Sequence, residues 1–305
     1  MTVKASVDAV IVSYRSARTL RESVGPLAAV PGAHVVVVDN ASDDDSLATI
    51  ADLAVDAVRA PRNGGFAYGC NLGIARGEAP YVLLLNPDAV LSAADLDVLV
   101  GVLEREPHVG LVAPRIMDAD GHLVASRRRF PGVATAWGQA LMLHRLIPRT
   151  DELLHGGGDL ASEPDWVSGS CMLVRREVLE RIGGLDEGFF LYSEDTDVCR
   201  RIRDEGLTIR YEPRATATHA GGASAPRQDL LPALARSRVR YARLHASPAS
   251  AALQIAAIAV GEATHAVARA GRGYARGHLA ALLAVLRAED AARGLGPPRT
   301  DPGWR

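Results

Sequence analysis

Four short apolar runs, each ending in a polar cluster, constrain this chain more than any other feature. Residues 7–12 lead into Ser13-Tyr14. The run "HVVVV" at 34–38 leads into Asp39-Asn40-Ala41-Ser42, residues 57–59 lead towards Asn63-Gly64, and Tyr81–Leu85 leads into Asn86-Pro87-Asp88. Unbroken β-branched or leucine runs of this length fit strands covered on both faces of a parallel sheet. Pro87 has no N–H for a ladder, so it ends its strand. The intervening patterns predict helices over 16–29, 44–53 and 66–76, and one near Ser92, where Asp95 completes a capping pattern. Strand and helix alternate, which predicts an α/β fold: a Rossmann-like, mostly parallel sheet flanked by helices. Such sheets bind ligands beyond the carboxyl ends of their strands, and all four polar clusters fall there.

Composition removes several classes of function. The 305 residues suffice for one large domain or two ordinary ones, and a 48% hydrophobic share supports a sizeable core. A net charge of −2 gives no field to steer the protein onto nucleic acid, so no nucleic-acid partner is expected. Cys70, Cys171 and Cys199 are too scattered for a disulfide framework or zinc site and fit a reducing cytoplasm. Lys4 and Asp8 flank a short apolar run that reads as a first strand rather than a signal peptide. The glycines of "GGFAYG" have the wrong spacing and place for a dinucleotide fingerprint, and no Walker A pattern occurs.

Two acids are ambiguous by themselves. Asp39 is either a turn and cap residue or an acceptor for a nucleotide base or ribose. Asp88 is either a helix cap or a hard ligand for a divalent cation bridging a diphosphate. Further along, residues 176–182 read as a helix closed by Gly183-Gly184. The bulky stretch at 189–192 precedes Ser193, which reads as the N-cap of a helix reaching about Arg203. Glu194 and Asp195 fall in its first turn, where the helix dipole favours their charged forms. Asp197 precedes Arg201 by four residues, which an ion pair explains. Asp195 has no such partner, and apolar neighbours would raise its pKa towards proton transfer.

In order, "IVSYRS", "VVVDNASDDDS", "RNGGFAYGCNLGI", "LLLNPDAV", "WVSGSCMLVRREVLERIGGLDEGFFLYSEDTDVCRRI" and "HAGGAS" resemble the family 2 glycosyltransferases of the GT-A fold. The likeness is closest to the bacterial branch with rhamnosyltransferases of cell-wall and O-antigen synthesis, and covers about residues 7–224. It implies an Asp-x-Asp-type motif at Asn86-Pro87-Asp88, with asparagine in place of the first acid. Asp88 would bind Mg²⁺ or Mn²⁺, with His219 completing the metal shell and Asn86 beside the sugar nucleotide. Ser13, Tyr14, Asp39, Asn40, Asn63 and Asn71 would line the nucleotide pocket. Glu194-Asp195 matches the family's Glu-Asp signature, with Asp195 as base. Trp166, Ser168 and Gly169 would form the acceptor face.

The implied enzyme is an inverting, metal-dependent glycosyltransferase. It would move L-rhamnose from dTDP-rhamnose to a hydroxyl of a glycan or polyprenyl diphosphate-linked acceptor, in the cytoplasm at the inner face of the cell membrane. A UDP-hexose donor, or a non-catalytic sugar-nucleotide-binding scaffold, is the alternative. The expected division is a GT-A domain over 1–224 (nucleotide half 1–115, acceptor half 116–224), a helical extension over 225–295 and a disordered tail over 296–305. The extension carries a basic patch at 236–243 and an apolar segment at 249–260, too short to span a membrane. Its helices either pack on the core or lie on an anionic membrane surface.

Overall fold

The computed structural model describes residues 6–221, 227–268 and 274–291. The first strands fall where the apolar runs place them: β1 (Val7–Ser13), β2 (Ala33–Asp39), β3 (Asp56–Arg59) and β4 (Tyr81–Leu85). Then come β5 (Ala89–Leu91), β6 (Val109–Met117), β7 (Arg127–Arg128), β8 (Trp166–Val167), β9 (Cys171–Arg175) and β10 (Thr208–His219). Eight of these form one sheet in the order β3-β2-β1-β4-β9-β6-β10-β5, and β7 and β8 pair separately. Strands β3, β2, β1 and β4 run parallel, as do β6 and β10; β9 lies antiparallel between β4 and β6, and β5 antiparallel on the edge. The sheet is therefore mixed and mostly parallel.

Helices cover both faces. On one side α1 (Leu20–Ala28) and α3 (Ala93–Arg105) pack Leu20, Val24, Leu96 and Leu103 against Ile11, Leu83 and Leu173. On the other, α2 (Phe66–Ile74), α5 (Arg176–Arg181) and α6 (Glu194–Asp204) pack Cys70, Ile74, Val178 and Val198 against Val10, Leu84 and Met172. Burial on both faces is why every residue of β1 is inaccessible and why these strands read as unbroken apolar runs. The cap before α3 forms as expected, with Ser92 Oγ accepting from the Asp95 N–H. The three cysteines are free and buried.

The helix expected over 44–53 is a single 3₁₀ turn, Ser46–Ile50. Asp44 accepts from both the N–H and the hydroxyl of Ser46 and from the Ala17 N–H, so the acid side chain holds a turn instead of opening an α-helix. The helix expected over 16–29 begins only at Leu20.

Beyond the sheet lie α4 (Val133–Ala140), α7 (Arg227–His245), α8 (Pro248–Ala268) and α9 (Ala275–Ala291). The last three share a small core of Ala235, Val239, Ala251, Ile255, Ala281 and Val285, and α8 also packs on α4. The apolar segment is longer than 249–260 suggested: α8 has 21 residues and, with a mean hydropathy of 1.4, is long and apolar enough to cross a membrane by length and composition. A third of that apolar window is nonetheless buried against protein. Gln254 is buried and Glu262 pairs with His278 of α9 at 2.7 Å, so parts of α8 face other helices. The boundary at 224/225, Ser224 itself and the tail at 296–305 lie outside the described residues.

Candidate functional site

At the carboxyl edge of β1 and β2 two side-chain oxygen atoms lack hydrogen bonds. Ser13 and Asp39 are aligned in the parallel register and fully buried, yet Ser13 Oγ and Asp39 Oδ2 accept or donate no hydrogen bond. Buried polar atoms without hydrogen bonds are uncommon, so two in register at one strand edge make a candidate place for a ligand. The other Asp39 oxygen accepts from the Ser42 N–H at 3.2 Å, and the Arg59 guanidinium lies 3.6 Å from Oδ2. Asp39 is thus both a turn residue and an open acceptor. Tyr14 is half-buried beside them.

Asn40 and Asn63 lie next along the edge. The Asn40 amide donates to Asn63 Oδ1 and to the Gly65 carbonyl, both at 3.0 Å, while its own oxygen accepts from the Gly64 N–H. This ties the β2 loop to the start of α2. Gly65 has φ near +90° and sits on Phe190, so an added Cβ would collide with the Phe190 carbonyl. Asn71 faces elsewhere. Its amide donates to the Leu185 carbonyl and Glu187, and its oxygen accepts from the Leu185 N–H. Both its amide hydrogens and one acceptor position brace the 185–187 loop, so Asn71 stands apart from the pocket group.

The opening acid cluster meets β10. Asp88 Oδ1 lies 3.1 Å from His219 Nε2, and the Asn86 amide lies 3.3 Å from the same nitrogen. The antiparallel pairing of β5 with β10 sets His219 opposite Ala89, and the Ala220 N–H donates to the Asp88 carbonyl. Both side chains keep some solvent access, at 11% and 21%. A carboxylate oxygen and an imidazole nitrogen at this spacing, open on one side, suit a divalent cation whose other ligands come from phosphate. Among the described residues, Asp118, Asp120 and His122 also gather, but Asp118 accepts the N–H groups of both others in an exposed turn.

The second carboxylate pair is buried. Asp195 Oδ2 accepts from the Gly169 N–H at 3.0 Å and Oδ1 from the Thr196 N–H at 2.7 Å. Burial raises the pKa of Asp195, while those N–H groups and the nearby Arg128 charge restrain the rise. Glu194 is pushed up to about 8, by burial first and the Asp195 charge second, and its Oε2 has no partner. Desolvation therefore outweighs the helix dipole, reversing the charge preference expected for this first turn. Ser193 is not a side-chain cap: it and Tyr192 take positive φ values of 64° and 69°, and Ser193 makes no capping bond. The Asp197–Arg201 pair forms at 2.7 Å, and His245 of α7 reaches the other Asp197 oxygen at 2.7 Å.

Of the residues expected on the acceptor face, Gly169 donates its N–H to Asp195. Ser168 lies beside it, its hydroxyl 3.4 Å from that of Ser170. Trp166 is a correction: its ring is buried in the core, its indole N–H donates to the Arg129 carbonyl, and Arg128 stacks on it. Sequence reading missed Arg128 and His245. Arg128 is the middle of a run of three arginines and His245 ends a basic helix, both remote in sequence from the motifs, and nothing local sets either apart from its neighbours.

The profile of a family described as glycosyltransferase like family 2 matches residues 5–243. The chain belongs to that family. Among similar proteins, an N-acetylglucosaminyl-diphospho-decaprenol L-rhamnosyltransferase of Mycobacterium tuberculosis is 29% identical over 202 residues, covering 61% of this chain and 66% of the relative. Rhamnosyltransferase WbbL of Escherichia coli is 30% identical over 166 residues, covering 51% of this chain and 60% of WbbL. The family 2 chain thus spans just under two thirds of the length of these curated relatives. Among solved structures, a Pyrobaculum calidifontis mannosyltransferase in complex with GDP-Man and Mn²⁺ superposes with a TM-score of 0.57 at 20% identity, over 96% of this chain and 81% of the other. The fold of this family 2 member is therefore GT-A, with a C-terminal helical extension.

Proposed function

We propose that this chain is an inverting glycosyltransferase that uses a nucleotide-sugar donor and a divalent cation. The observation that carries this reading is the pairing of two unlike sites: an open Asp88–His219 pair at the strand edge and a buried Asp195 held by the Gly169 and Thr196 N–H groups. Ser13 and Asp39 offer their unpaired atoms to the nucleoside. Asp88 and His219 would hold Mg²⁺ or Mn²⁺, which would supply positive charge to stabilise the departing diphosphate. Asp195 takes the proton from an acceptor hydroxyl as that oxygen bonds to the anomeric carbon. The carbon–phosphate oxygen bond breaks on the opposite face, and the configuration inverts. Glu194 keeps its proton in neutral solution, so one negative charge serves the buried pair.

Two relatives named as rhamnosyltransferases support L-rhamnose from dTDP-rhamnose as the transferred sugar, and the decaprenol-linked name supports a lipid diphosphate-linked glycan acceptor. A relative named as a hexosyltransferase keeps a UDP-hexose donor as the second reading. We place the outer face of α8 and α9 on an anionic membrane surface at the cytoplasmic side. Leu253, Val260, Leu279, Leu283 and Leu286 are exposed there, with Arg276 and Arg287 at its margins, a combination suited to such a surface.

The test is a donor screen by thermal unfolding, with and without Mn²⁺ or Mg²⁺. A ligand of the native state raises the melting temperature by mass action. Metal-dependent stabilisation by dTDP and dTDP-rhamnose, followed by rhamnosyl transfer to a polyprenyl diphosphate-linked sugar, is expected. A response to UDP-sugars alone moves the donor to a hexose. No response to any nucleotide leaves a scaffold and overturns the reading.

A further inference from the structure

The loop at 185–193 delivers the chain to the Glu194–Asp195 pair, and it arrives in an uncommon backbone state. Tyr192 and Ser193, the two residues before Glu194, have φ values of 69° and 64°. Residues with a Cβ rarely adopt that conformation, and it persists where the surroundings over-determine it. The Ser193 side chain makes no capping bond, so it does not hold the turn itself.

Neighbouring elements grip the loop from two sides. From α2, the Phe66 N–H donates to the Phe190 carbonyl at 2.9 Å, and Gly65, lacking a Cβ, lets that carbonyl approach. From α7, Ser237 Oγ donates to the Leu191 carbonyl at 2.8 Å. Ser237 and Arg240 are three residues apart and so share a helix face. Arg240 forks onto Asp186, with Nη2 2.9 Å from Oδ1 and Nε 3.1 Å from Oδ2. Both side chains of that pair are largely enclosed, at 15% and 14% exposure. The same guanidinium lies 5.2 Å from the centre of the Phe189 ring, and a Cβ on Gly188 would strike it. A bidentate pair of this kind fixes orientation as well as adding energy. Further along α7, His245 takes Asp197 at 2.7 Å. One helix therefore holds the chain at Asp186 and Leu191 before Asp195, and at Asp197 after it.

We propose that Ser237 and Arg240 are positioning residues for glycosyl transfer: they clamp the 186–193 loop and through it set the aim of Asp195. This deepens the proposed function and rests on Asp195 as its base. Because both act through the loop, their loss falls on the chemical step and not on the nucleotide pocket. Helix α7 then belongs to the catalytic unit and is not merely an attachment.

The test measures transfer kinetics and amide hydrogen exchange on the same full-chain samples. Arg240→Ala should lower kcat by about tenfold or more while donor KM stays within about twofold. Arg240→Lys keeps a cation for Asp186 without the fork and should recover part of the loss. Ser237→Ala should lower kcat by about threefold. Arg236→Ala removes an exposed arginine of the same helix and should change nothing. Exchange reads the placement without activity: the Gly169 and Thr196 amides that hold Asp195 should exchange faster in Arg240→Ala, while amides of β1–β4 should not. An unchanged kcat in Arg240→Ala, or a donor KM that rises as much as kcat falls, overturns the proposal. If Arg240→Ala does not fold, Ser237→Ala, which removes a single hydroxyl, carries the test, and an unchanged kcat there overturns it. If the native protein transfers no sugar while the Gly169 and Thr196 amides still respond to Arg240→Ala, the glycosyl-transfer reading fails and the clamp on the loop stands.

Discussion

Asp88 and Asp195 are both aspartates next to ends of regular elements, yet their surroundings differ in kind. Asp88 keeps solvent access and faces an imidazole 3.1 Å away. Asp195 is enclosed, faces backbone N–H groups and has a raised pKa because burial penalises its charge. An open acid beside a nitrogen donor can hold a cation, since a cation's other ligands need room. An enclosed acid with a raised pKa can exchange a proton with a hydroxyl. In the proposed mechanism the same side chain takes two roles through environment alone, while Asp197, two residues further along α6, ties Arg201 and His245 together.

Exchanging charge at each acid would break this comparison if the roles are wrong. The largest effect is expected at the base. Asp195→Asn keeps the side-chain shape but can accept from only one of the Gly169 and Thr196 N–H groups and cannot take a proton, so turnover should fall by roughly 10²–10⁴-fold with donor affinity kept. Single-turnover kinetics beside a nucleotide titration separate the two, and near-normal transfer would remove Asp195 from the chemistry. Next comes Asp197→Ala, which breaks a buried network from one side and should cost about 3 kcal/mol in chemical unfolding. An unchanged midpoint would mean that α7 is not anchored through His245. Asp88→Asn should leave the fold alone and abolish the metal-dependent part of nucleotide stabilisation, on the order of 2–3 kcal/mol at ligand concentrations near a hundredfold Kd. A metal response that survives in this variant would move the cation elsewhere.

The two acids also differ in how visible they were in sequence. Asp88 follows a strand whose boundaries, Tyr81–Leu85, are plain from four apolar residues and a proline. The whole β1–β4 edge is legible for the same reason, because strands buried on both faces cannot hide their pattern. The surroundings of Asp195 were less legible. Its helix was visible, but the positive φ at Tyr192 and Ser193 and the depth of burial come from packing by β8 and α7, far away in sequence. A first turn of acids reads as solvent-exposed and dipole-stabilised until tertiary contacts remove the water. Trp166 differs similarly: the resemblance implied an acceptor face, while the fold buries the ring in the core and ties its N–H to the Arg129 carbonyl just after β7. The helix lost at 44–53 was a local error, since the acids there satisfy nearby N–H groups instead of capping a longer element.

The smallest expected effect sharpens the comparison most. Glu194 is raised to about 8 because burial and the Asp195 charge disfavour its ionised form. In the unfolded chain it titrates near 4.5. A group whose folded pKa is raised contributes its full stability below the unfolded value and loses it as pH climbs through the folded one. Native protein should therefore lose stability between about pH 4.5 and 8 through this group, as the unfolded state releases a proton that the folded state retains. Glu194→Gln keeps the shape, has no proton to release and should flatten that part of the curve, leaving the variant relatively more stable above pH 8. Because Glu194 is already neutral on the acid side, the variant should leave the acid limb of turnover in place. Urea unfolding across pH 4–9 on both proteins reads the first effect and the pH profile of transfer the second. Parallel stability curves would show that Glu194 is charged in the folded protein, and the buried pair would then differ from Asp88 in depth but not in protonation.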